Sequence, residues 1–109
     1  MHVEDLLDLL DEQLSDPARW AGTTVNVGGG PACSLSLCET TQLCREITGR
    51  STDVQPSPDA RPGDVPIYVS DCARLYGLTD WRPRRGPQEI LRDIHAWIEA
   101  HEAALAGAL

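Results

Sequence analysis

The sequence predicts an α/β protein. Three stretches carry apolar residues at helical spacing, near 3–14, 36–48 and 87–101, and between them lie two short β-type runs, at 23–27 and 67–70. Glycine and proline clusters punctuate the boundaries. With 109 residues, 41% of them apolar and 24% charged, the chain is one domain at most with a modest core, neither fibrous nor disordered.

The elements follow in order. Val3, Leu6, Leu7, Leu10 and Leu14 recur as on one helix, and acids crowd its first turns as the helix dipole favours. Asp16-Pro17 ends or kinks that helix, because the residue before proline is pushed out of helical geometry. Thr23–Val27 is a strand stopped by Gly28-Gly29-Gly30-Pro31. Ser36 and Glu39 form a capping box that opens a helix running to Thr48, with Gly49 just past its end. Residues 52–56 are a further candidate strand, and the proline-rich stretch from Pro56 to Pro66 is a loop. Ile67–Ser70 is a strand, after which Asp71 caps a short helix closed by Gly77. The last helix begins near Pro87 and presents Ile90, Leu91, Ile94, Trp97, Ile98 and His101 on one face.

Charge excludes one class of partner. The net charge is −8, and all nine cations are arginines. A nucleic-acid binder needs a basic face for its phosphate contacts, so none is expected here. Residues 1–16 hold six acids and no cation, whereas Arg82, Arg84 and Arg85 cluster late. Two solvated faces of opposite sign explain this; an anion-facing patch near Arg61 and Arg74 is the sharper alternative. No apolar run approaches about 18 residues, so no membrane span is expected. Met1-His2-Val3-Glu4-Asp5 lacks the features of a secretory leader. The expected location is cytoplasmic.

Cys33, Cys38, Cys44 and Cys72 match no zinc-ligand spacing and read as reduced packing residues, except that Cys33 stands apart because it sits in a loop. The triglycine is either a plain turn or a phosphate cradle, but its spacing fits no dinucleotide or Walker pattern. In Arg61-Pro62-Gly63-Asp64 the two charges exceed what a turn requires. They form either a surface ion pair or a recognition pair, since guanidinium matches phosphate in a two-pronged fashion and carboxylate accepts from hydroxyls.

Four segments then line up with a family. HVEDLLDLL, TTVNVGGGPACSLSLCETTQLCREITGR, RPGDVPIYVSD and WRPRRGPQEILRDIHAWI resemble, in order, the C-terminal part of extended short-chain dehydrogenase/reductases. Within this NAD-dependent epimerase/dehydratase family, the likeness is to nucleotide-sugar epimerases of the CDP-paratose (CDP-tyvelose) 2-epimerase type. The resemblance implies that residues 1–30 are the terminal helix and strand of a Rossmann sheet and that 31–109 form a substrate-binding lobe. It implies that Arg61 contacts the substrate diphosphate, that Asp64 contacts the ribose, and that Cys33 stands where many relatives have asparagine. A thiol is a weaker hydrogen-bonding group than an amide.

The same resemblance implies NAD for a complete member, yet this sequence has neither a glycine fingerprint for NAD nor a Tyr-x-x-x-Lys pair. No catalytic residue, cofactor or metal ligand is therefore assigned to this chain. Three expectations follow. The chain is a nucleotide-sugar-binding portion that works with a separate Rossmann subunit. Alternatively, it is a repurposed homodimeric binding module or cofactor-free enzyme, with His95, His101, Asp64 and Cys33 as acid–base candidates. The third expectation is a truncated remnant without a role of its own.

Overall fold

The computed structural model describes residues 1–57 and 63–107. Among the described residues six helices follow one another: α1 (Val3–Ser15), α2 (Pro17–Trp20), α3 (Leu37–Thr48), α4 (Ala73–Leu78), α5 (Pro87–Ala100) and α6 (Glu102–Leu105), with a 3-10 turn at Pro31–Cys33. Local chemistry sets most of the boundaries. The imidazole Nδ1 of His2 accepts from the Glu4 amide at 3.1 Å and opens α1. Asp16 accepts from the Arg19 amide at 3.3 Å, with Pro17 in the first turn of α2, so the proline separates two helices. Ser36 and Glu39 form the expected capping box, and Gly49 closes α3 at φ 66°, a left-handed conformation that glycine adopts without penalty. Asp71 accepts from the Ala73 amide at 2.9 Å, and α4 runs through Gly77 to Leu78.

The expected α/β fold is not formed. The regular secondary structure of the described residues is helical and none of them is paired into a sheet, so the expected Rossmann helix–strand is replaced by a helix and a segment with no strand pairing. At 24–27 the burial still alternates, with Val25 and Val27 turned inward and Thr24 and Asn26 outward. What the segment lacks is a neighbour: the Asn26 side chain donates to the Asp71 carbonyl at 3.3 Å, where a ladder would need backbone partners. Residues 52–56 are exposed throughout, and Ile67 and Tyr68 are each 80% exposed. β-branched composition expresses a fit to a pleated, half-buried surface, and no such surface is present for these runs.

A small core joins distant parts of the chain. Leu9 of α1, Cys72 and Leu75 at α4, and Trp81 are buried together, with Trp20, Val25, Val27 and Tyr76 partly buried around them. Trp81 Nε1 donates to the Asp5 carbonyl at 3.1 Å, which satisfies the polar edge of the largest core side chain. The second contact in the fold is α3 against α5. Outside these contacts the molecule is open. Its accessible surface is 8539 Å² and its radius of gyration 17.6 Å. A folded monomer of this mass exposes about 5,900 Å² and has a radius near 13 Å. Ile94, Trp97 and Ile98, expected on the apolar face of α5, are exposed.

Candidate functional site

A cleft of about 480 Å³ lies where the triglycine turn meets the start of α4. Gly29, Gly30 and Pro31 form one wall, and Ser70, Cys72 and Tyr76 the other. The glycines are there because the chains approach closely. A Cβ on Gly28 would stand 2.7 Å from Ser70 Cβ, and one on Gly29 would meet the Cys33 side chain, with Sγ at 3.1 Å. Gly30 has φ 61° and delivers the chain into the 3-10 turn. The turn is thus a close-packed corner. Across it, the buried Cys72 thiol donates to the Gly28 carbonyl at 3.6 Å.

Electrostatics in the cleft centre on Tyr76. Burial pushes its hydroxyl above the ordinary phenol value, and the Cys72 and Cys33 thiols push in the same direction. The Arg82 guanidinium opposes them, stacked over the Tyr76 ring at 4.0 Å. Tyr76 is therefore a neutral hydroxyl at pH 7, able to donate and to accept one hydrogen bond in an apolar surround. That suits binding and not proton abstraction.

The sequence candidates divide. Cys33 lies beside the cleft without lining it: it is half-buried behind Gly29, and its amide donates to the Gly30 carbonyl at 3.3 Å. Asp64 is exposed on the irregular stretch leading to Ser70. Arg61 lies outside the described residues. His95 belongs to another cleft, of about 300 Å³, between the end of α3 and α5, where its Nε2 lies 3.6 Å from Glu99. His101 is stacked on Trp97 with ring centroids 4.5 Å apart. Cys72 packs as expected, but Cys38 and Cys44 are exposed, on faces of α3 turned away from its contact with α5.

Sequence reasoning missed the best-built polar group in the molecule. Asp5 is 1% exposed; its Oδ1 accepts from the Arg85 guanidinium at 2.8 Å and its Oδ2 from the Arg85 amide at 3.2 Å. Arg85 also pairs with Glu4. Burial raises the Asp5 pKa, but the amides of Arg85 and Arg84 and the Arg85 guanidinium outweigh it, and the carboxyl titrates below its ordinary range. Asp5 sat unremarked among six acids. Its place one turn before Leu9, on the inward side of α1, was the signal that distinguished it. Among the described residues, no group of three or more His, Cys, Asp or Glu is arranged to hold a metal ion, and no helix is long and apolar enough to cross a membrane.

The sequence compares with one class of protein, the nucleotide-sugar epimerases, and the relationship is distant. CDP-paratose 2-epimerase of Salmonella typhi is 25% identical over 100 residues, which is 92% of this chain. The match takes in 29% of that enzyme's length, so the chain spans less than a third of the relative. No protein-family profile matches the sequence, and no solved structure does.

Proposed function

We propose that this chain is a nucleotide-sugar-binding portion related to NAD-dependent epimerases, inactive without a separate NAD-binding half. The observation that carries the reading is the alignment of 92% of the chain with part of a CDP-sugar epimerase. In this reading, Arg61 holds the diphosphate through its planar fork and Asp64 accepts from the ribose hydroxyls. Cys33, behind the glycine turn, replaces an amide with a weaker hydrogen-bonding group, which loosens recognition at that corner.

Titration calorimetry with CDP-glucose tests it. Arg61→Ala weakens binding by about 1.5–3 kcal/mol, the range for a hydrogen bond to a charged group. Arg61→Lys recovers little, because an ammonium keeps the charge and loses the fork. Asp64→Asn costs less than Arg61→Ala, and Arg92→Ala on exposed α5 changes nothing. Equal affinities across these variants overturn the assignment of Arg61 and Asp64. NAD and NADP titrated into the same preparation give no heat of binding, since no glycine fingerprint is present to cradle their pyrophosphate.

A further inference from the structure

Asp71 brings a carboxylate to the edge of the glycine-walled cleft. Its Oδ1 accepts from the Ala73 amide at 2.9 Å and opens α4, and its backbone carbonyl accepts from the Asn26 side chain at 3.3 Å. The residue is exposed, and among the described residues no cation pairs with it, so Oδ2 is left to accept from a ligand. The rest of the lining is poor in polar side chains. Pro31, Val69 and Ala73 present carbon, the glycines present backbone, and Ser70 and Tyr76 present one hydroxyl each. Among the described residues no cation lines the cleft; the Arg82 guanidinium lies over the Tyr76 ring without forming part of the wall. A nucleotide sugar offers three different parts to such a place. Its diphosphate is disfavoured, because the one charge here is negative. Its sugar is disfavoured, because each hydroxyl needs a partner and the walls are largely carbon. Its base fits, with two apolar faces for the walls and the Tyr76 ring, and a polar edge for the rim.

We propose that the cleft takes the nucleobase of the nucleotide sugar, and that Asp71 selects a base carrying an exocyclic amine. The assignment rests on the nucleotide-sugar reading above. A carboxylate accepts hydrogen bonds and donates none. Cytosine offers it two amine hydrogens at the 4-position, the pairing that acidic side chains make with that base. Uracil carries a carbonyl oxygen there, and its single imide N–H lies between two carbonyls that repel the acid. The two bases differ little in size or stacking, so the carboxylate decides between them. Tyr76 serves either base, since its hydroxyl both donates and accepts and its ring is a stacking face. A charge-assisted hydrogen bond gained by one base, and a repulsion met by the other, make a preference of about tenfold.

Titration calorimetry on the full chain compares CDP-glucose with UDP-glucose, which differ only in the base. CDP-glucose binds about tenfold tighter. Asp71→Asn keeps an oxygen for the Ala73 amide and turns an amide N–H toward the cleft, so α4 stays capped and the preference falls to parity or reverses. Tyr76→Ala weakens both ligands, and Asp80→Asn, at an exposed acid outside the cleft, leaves their ratio as it was. Arg61→Ala weakens both ligands equally, because the diphosphate is common to them. Equal affinity of the two sugars for the parent chain overturns the base assignment and leaves nucleotide-sugar binding standing, as does a ratio that Asp71→Asn does not change. Failure of both sugars to bind overturns the nucleotide-sugar reading instead, and saturation-transfer NMR with cytidine and uridine then decides the cleft. Saturation of cytidine over uridine that is lost in Asp71→Asn upholds a base-selecting Asp71; saturation of neither, or of both alike, overturns it.

Discussion

Asp5 shows how one residue can hold an open molecule together. Its carboxylate ties the first turn of α1 to Arg85, while its carbonyl receives the Trp81 indole, so one position anchors two segments some 80 residues away. Asp5→Asn removes the charge and leaves the Arg85 guanidinium with a neutral partner. Because Arg85 is partly in solvent, the expected loss is about 2 kcal/mol, toward the lower end for charged hydrogen bonds. A shift in urea midpoint measures it. The sign of the pH effect is fixed by the depressed pKa of Asp5 in the fold. Its contribution is complete above the unfolded value, about 3.9, and is lost as pH falls through the lower folded value. Acid melts of the parent should therefore steepen below about pH 4, and those of Asp5→Asn should lack that component. A second residue-scale expectation concerns the corner of the cleft. Gly28→Ala drives a methyl into Ser70 and should destabilise by about 1–3 kcal/mol. Ser70→Gly, which removes the obstructing Cβ, should restore most of that loss in a thermal melt.

Among elements, those whose signals are local were legible. The capping box at Ser36, the left-handed Gly49 and the proline-started α5 all use residues within one turn of the boundary they set. Ser36→Ala should cost about 1 kcal/mol and fray α3, readable as lost helical ellipticity. Strands were not legible in the same way. Thr23–Val27 has the right residues and the right alternation, but a strand is defined by a neighbour that no window of sequence contains. Cys33 shows the same limit at the site. The turn that places it behind Gly29 follows from Gly30 and Pro31, yet its approach to Tyr76 depends on α4, some 40 residues on. Asp64 stays exposed on a stretch without secondary structure, and no local rule gives it a partner.

At the scale of the whole molecule, the four buried apolar residues among those described are a small core for a chain of 109. Many apolar side chains are exposed instead, on α1, α5 and the stretch from Val65 to Val69. Since apolar burial is the dominant favourable term in folding, the isolated chain should melt early, with low cooperativity, and bind hydrophobic dyes before heating. Anything that covers those faces should stabilise it by mass action. Scanning calorimetry of the isolated chain checks the early, weakly cooperative melt, and a single sharp transition counts against it.

The three indoles occupy three environments. Trp81 is buried with its nitrogen bonded to Asp5, Trp20 is half-buried, and Trp97 faces solvent against the His101 ring. Light emitted by Trp81 is therefore blue-shifted and shielded from iodide, whereas that of Trp97 is red-shifted and quenched by iodide. Single-tryptophan versions of the chain would separate the two signals. Loss of the core could then be followed by a change of colour at Trp81, and events on α5 by a change of intensity at Trp97, in one cuvette and without an added label.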